Sequence, residues 1–309
     1  MRKIFCIGFL FFTLLNTYAC LNGEKYIMKN GGYLYMDYAD ALPFGHNFPI
    51  SKNMERVKFE LDSLYKKTKD LDYLSDKGYI LIIEKRYDEA LKLYLKIEKL
   101  KPKRYSTASN IGTLYELMGN NKEALKWINK SITINSKSHN GSEWLHSRVL
   151  EAKINGEKFQ NSKFLLNTDF GNEIRPISKL DTIQLNKLDK SLYYQLNERL
   201  SFIQPKDNII AILMFELGNI KMLKRQFNTV KPILEKAKEY GLKSPVLEKR
   251  LIYAKHVLNP KPIFKNRNSN DSGEIDYVRT LLSFFLAVVA ISLLYLIFLS
   301  KSGNQKVTV

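Results

Sequence analysis

Cysteine is nearly absent from this chain. Of 309 residues only Cys6 and Cys20 are cysteines. Removal of a leader carrying Cys6 would leave Cys20 alone, so no internal disulfide is available and packing has to supply the stability. The short motifs of familiar catalysis are missing too. There is no Gly-x-Ser-x-Gly, no glycine-rich phosphate loop and no His-Glu-x-x-His. No catalytic residue, cofactor or metal site is named by the sequence, and the expectation is a protein that is not an enzyme. Charge is missing from one long stretch: Thr280 to Ser300 contains no Asp, Glu, Lys or Arg.

The two ends carry the membrane readings. Residues 1–19 have the layout of a secretory signal peptide: Arg2 and Lys3, the apolar run Ile4 to Leu15, then small residues Thr17 and Ala19 before a cut. Retention of that segment as an anchor is the alternative. Cys20 follows Ala19 as an acylated cysteine would, but Thr17 stands where lipoproteins usually have leucine, so ordinary cleavage is favoured over lipidation of Cys20. At the other end, the 21 uncharged residues Thr280–Ser300 make roughly 31 Å of helix, the thickness of a bilayer's hydrocarbon core. Arg279 and Lys301 bracket it, with Tyr277 and Tyr295 near its ends. The expectation is one transmembrane helix within 277–300 and a localisation in the bacterial cell membrane, with residues 20–276 exported and 301–309 cytoplasmic. The count of basic residues beside the span does not itself favour this orientation; the leader does.

Net charge is +18. Such an excess favours anionic partners such as lipid headgroups or acidic glycan, although lysine also populates solvated helix faces for no binding reason. Nucleic acid is not expected to meet an exported domain.

The body of the chain is organised by a period. Two consecutive 34-residue units run over 71–104 and 105–138. Gly78 is matched by Gly112, Leu81 by Tyr115 and Ala90 by Ala124, with Tyr87, Tyr94 and Pro102 in the first unit and Gly119 in the second. A fixed period of this length means stacked helical hairpins. The glycines and alanines leave room where the two helices of a hairpin cross. This spacing resembles the tetratricopeptide-repeat family. The resemblance is strong over 71–138, fair for the helix before it and weak after 160.

Around these units the pattern predicts a β-hairpin and loop over 20–50, with Asn30-Gly31-Gly32 as its turn. Repeat-like helices occupy 51–160, a loop 161–179, and further helical hairpins 180–258, where Leu217-Gly218 and Ala237 echo the earlier units. A flexible stalk follows over 259–276. The fold class is therefore all-α: an α-solenoid of helical hairpins with a small N-terminal β-hairpin and one C-terminal transmembrane helix. Two subdomains meeting near 160–178 are a second possibility.

The resemblance implies a binding groove lined by the first helices of the hairpins. By repeat position Tyr79, Ile82 and Ile83 face it from one unit and Thr113, Glu116 and Leu117 from the next. The basic-and-asparagine set with which some relatives clamp a peptide carboxylate is replaced here by Asp72, Ser75 and Tyr79. The preferred function is a non-catalytic scaffold that binds a protein or peptide partner. A glycan- or glycolipid-binding module of the envelope is a second reading, motivated by positive charge and tyrosine. A metal-dependent enzyme built on His139, Glu143 and His146 is a third. Spacings of four and three would put those groups on one helical face, but Gly141 and Ser142 look like the helix start, which places His139 off that face and in a packed or hydrogen-bonded role.

Overall fold

The computed structural model describes residues 25–37, 42–49, 53–137 and 139–258. The expected leader, Cys20, the expected stalk and transmembrane helix, and residues 301–309 lie outside the described residues. Among the described residues no helix is long and apolar enough to cross a membrane.

The chain starts with two antiparallel strands, β1 (Lys25–Ile27) and β2 (Tyr33–Met36). Gly31 sits at φ +86° in the turn, a region that glycine enters without steric cost. Met28 and Leu34 are buried from the hairpin side, against Leu61 and Ile80 of the first helices. That small core supports a hairpin that would be marginal alone.

Helices then follow: α1 (Met54–Thr68), α2 (Leu71–Ile83), α3 (Tyr87–Leu100), α4 (Tyr105–Leu117), α5 (Asn121–Ile134) and α6 (Glu143–Asn155). A short helix α7 (Ser162–Leu166) lies inside the stretch read from sequence as a loop. The long α8 (Thr182–Leu200), then α9 (Asn208–Leu223), α10 (Phe227–Glu239) and α11 (Pro245–Leu258) complete the order. The result is a mostly helical, repeat-built solenoid with a small two-stranded hairpin.

Three helical hairpins share one geometry. A Cβ added at Gly78 would lie 2.6 Å from the Tyr94 ring, and one at Gly112 2.6 Å from Ile128 Cδ1; at Gly218 it would collide with Leu234. Each pair is 16 residues apart. Seven residues after each glycine the backbone turns left-handed, at Lys85 (φ 60°), Gly119 (φ 82°) and Arg225 (φ 58°). The following N–H closes the helix end in each case: Arg86 onto Leu81 O (2.9 Å), Asn120 onto Tyr115 O (2.8 Å) and Gln226 onto Lys221 O (2.9 Å). The α9–α10 hairpin thus repeats the first two. Tyr94 fills the crossing inside its own hairpin rather than only the space between hairpins. Its hydroxyl donates to Ser75 O (2.7 Å) and accepts from Asn110 Nδ2 of the next hairpin (2.8 Å).

The two-subdomain alternative does not hold. One apolar core runs through Val149 of α6, Leu165 of α7, Leu192 of α8, Leu213 of α9 and Leu234 of α10 to Leu251 of α11, and the described residues belong to a single compact unit. The irregular stretch after α7 is held from within. Phe170 is buried, and the fully buried Arg250 of α11 donates to the carbonyls of Phe170 (3.1 Å), Gly171 (2.8 Å) and Glu173 (3.1 Å).

Candidate functional site: a cleft between the first helices

The first helices of successive hairpins, α2, α4 and α6, line a cleft with about 140 Å³ of space. Space of that order admits one benzene-sized ring. Five of the six residues named from repeat position line it: Tyr79 and Ile82 from α2, and Thr113, Glu116 and Leu117 from α4. Ile83 does not. It packs with Met54, Val57 and the β-hairpin on the other side of α2. Ile83 lies about 100° around α2 from Ile82, on the side that the β-hairpin covers.

The five do not play one role. Ile82 is buried in the core of the first hairpins. Glu116 is buried as well and is the hub of an ionic network. Its Oε1 accepts from Arg199 Nη1 and Lys153 Nζ, each at 2.7 Å, and its Oε2 faces His146 Nε2 at 2.7 Å. Burial alone would raise its pKa, but Arg199, His146 and Lys153 overcome that and hold the carboxyl well below the ordinary carboxylate range. Thr113, Leu117 and the ring of Tyr79 remain the half-buried surface that an entering group would touch.

The histidine cluster has its own geometry. A 3-10 turn at His139–Gly141 precedes α6, so His139 does lie before the helix, yet the turn carries its Nδ1 to 2.6 Å from Glu143 Oε1. Tyr105 also donates to that oxygen, at 2.9 Å. His146 Nδ1 lies 3.6 Å from Glu143 Oε2. Burial opposes charge on both groups, but His139 and His146 lower the Glu143 pKa, while Glu116 raises that of His146. These are ion-paired residues of the cleft wall. Among the described residues no group of His, Cys, Asp and Glu is arranged to hold a metal ion.

The far wall of the cleft has no repeat signal in the sequence. The C-terminal end of α8 supplies Gln195, Glu198 and Arg199, and Phe202 follows. Phe202 stands 6.3 Å from the Tyr79 ring, centre to centre. Capping at Asp181, a box with Gln184, fixes where α8 begins, and Leu192 and Leu196 bury its apolar side. Only the contact partners reveal that its last turn reaches α4.

Tyr26 and Tyr35 of the hairpin close the cleft at α2. Tyr26 stacks on Tyr79 at 6.2 Å and donates to Asp76 Oδ1 at 2.7 Å. Several polar atoms of the cleft residues lack a hydrogen-bond partner among the described residues: the Tyr79 hydroxyl, Arg199 Nε and Nη2, and Glu143 Oε2. Nε and Nη2 form one edge of the guanidinium fork. These atoms are buried within the wall, behind the aromatic surface that Tyr79 and Phe202 present.

Residues 71–104 and 106–138 match the family model of the tetratricopeptide repeat. The two matched stretches are the hairpins α2–α3 and α4–α5. No curated protein matches the chain. Among solved structures, a tetratricopeptide repeat protein from Parabacteroides merdae ATCC 43184 aligns at 14% identity and TM-score 0.33, over 66% of this chain and 93% of that one. The Cut9–Hcn1 hetero-tetramer of the APC/C aligns at 12% identity and TM-score 0.35, over 69% of this chain and 41% of that one.

Proposed function

We propose that the chain is a non-catalytic interaction scaffold that holds a protein or peptide partner in the cleft between its first helices. The observation that carries this is the convergence of both matched repeats on one small cleft, with Tyr79 and Thr113 at its surface. Stacked helical hairpins serve mainly as binding surfaces, and tetratricopeptide repeats suggest a protein–protein interaction scaffold. Export and tethering are part of the same reading. They are supported by the leader-like residues 1–19 and the uncharged run Thr280–Ser300, which would place residues 20–276 outside a bacterial cell membrane on a single span.

The test uses the full chain in its native membranes, crosslinked and purified through a tag on the 301–309 tail. A reproducible protein partner that is lost in Tyr79→Ala supports the scaffold. Recovery of no protein above background contradicts it and transfers weight to acidic glycan or lipid.

A further inference from the structure

The cleft's mouth is covered by the chain itself. Residues 25–37 and 42–49 lie along α2 and the end of α8, and the body holds them through their backbone as well as their side chains, with Met28 and Leu34 buried against α1 and α2. Asp76 Oδ2 accepts from Lys29 N at 2.6 Å, Asn197 Oδ1 from Gly45 N at 2.9 Å, and Ser201 Oγ from His46 N at 2.8 Å. Side chains that accept main-chain N–H groups hold a segment partly through its backbone, as peptide-binding surfaces do. Here Lys29 lies in the hairpin turn, and Gly45 sits at φ +85°, where an added Cβ would lie 3.0 Å from the Leu200 backbone. Rings complete the contact. Tyr26 and Tyr35 face Tyr79, and Phe48 lies 6.1 Å from Phe202. His46 puts Nε2 3.1 Å from Glu198 Oε1 of α8. The outward side of the same segment is left open: Ile27, Tyr33 and Met36 are each close to half exposed.

We propose that this surface is a peptide-docking site whose resident occupant is the chain's own N-terminal segment, which a partner displaces. The partner would be a peptide segment that offers backbone N–H groups to Asp76 from a turn and to Asn197 from a glycine, an aromatic side chain to the Tyr79–Phe202 wall, and a cation to Glu198. This rests on the cleft being the partner site, and adds what enters and what leaves.

A resident segment competes at its own effective concentration, which is on the order of millimolar for a short tether. The probe is a fluorescent synthetic peptide of residues 25–49, added to the full-length protein. Tyr26→Ala combined with His46→Ala weakens the resident copy and leaves the probe intact. That variant should bind the probe at least about tenfold tighter than the unaltered protein. Equal binding by both, or binding by neither, overturns the proposal. Hydrogen exchange on the unaltered protein covers the case in which the variant fails to fold. The amides of Lys29, Gly45 and His46 should exchange well ahead of the amides of α2 and α8, and exchange at the same rate as those helices overturns a displaceable segment. The two readings fail separately. A partner lost in Tyr79→Ala but indifferent to the probe peptide sinks the displacement and keeps the scaffold. Tight probe binding with no partner recovered from membranes does the reverse.

Discussion

Gly78 has no room for a side chain. Even a methyl group there would sit 2.6 Å from the Tyr94 ring, and Tyr94 cannot retreat without breaking its bonds to Ser75 and Asn110. Gly78→Ala should therefore destabilise the protein by about 1–3 kcal/mol, the range for overpacked cores, read as a lower denaturation midpoint with an unchanged m-value. His46 makes a different kind of prediction. Its two ring nitrogens face Asp37 Oδ2 at 2.7 Å and Glu198 Oε1 at 3.1 Å, so both are protonated. Burial opposes that charge, but the two carboxylates raise the pKa from 6.5 to about 10. A histidine whose pKa rises on folding contributes stability fully below its unfolded value and loses it as pH climbs through the folded one. The advantage of the unaltered protein over His46→Gln should be constant between about pH 5 and 6, where Asp37 and Glu198 are still ionised, and shrink steadily up to about 10. Paired thermal melts across that range check it, and a difference that grows with pH would contradict the ion pairs.

At the scale of elements, the helix ends show what a period reveals and what it hides. Gly119, Lys85 and Arg225 occupy the same left-handed position in three hairpins, but only one of them is the residue that position favours. A side chain there costs roughly 1 kcal/mol. Lys85→Gly should raise stability by up to about 1 kcal/mol, and Gly119→Ala should lower it by a similar amount, both measured by equilibrium unfolding. The hairpins α2–α3 and α4–α5 were legible because their signals are local: small residues at the crossings, Pro102 after α3 and apolar residues at helical spacing. The hairpin turn at Asn30-Gly31-Gly32 was legible for the same reason. The partner wall was not. Glu198, Arg199 and Phe202 reach α2 and α4 across more than 80 residues of chain in the case of Arg199 and Glu116, and nothing periodic announces such a contact. Glu116 reads as a groove residue from its place in the repeat, yet a buried carboxylate needs cations, and Lys153, His146 and Arg199 come from two other helices. Ile83 illustrates the other failure. It packs toward the β-hairpin rather than the cleft, although Glu116 and Leu117, equally adjacent on α4, both line the cleft.

On the scale of the whole molecule, the described residues form a solenoid whose N-terminal hairpin and α8 pack across its first helices. The N-terminal hairpin and the last turn of α8 meet over the cleft. Such closure supplies the capping that a short stack needs, and it also defines the small cleft that remains. The glycine crossings set the helix spacing and the spacing sets the cleft. The ionic hub at Glu116 then holds α4, α6 and α8 around it. Disturbing Glu116 would thus change the shape of the site as well as any contact made there, so Thr113 is the better reporter of binding.

The most direct measurement places a photo-reactive amino acid at Thr113 in the full-length protein, with a second version carrying it at Phe59 on α1, where the side chain is 78% exposed outside the cleft. Both are illuminated in native membranes and resolved by mass. A discrete protein adduct from position 113 and none from 59 is the predicted result. Adducts from 59 alone, or the same adducts from both positions, would contradict the claim that the cleft between the first helices is where this protein holds its partner.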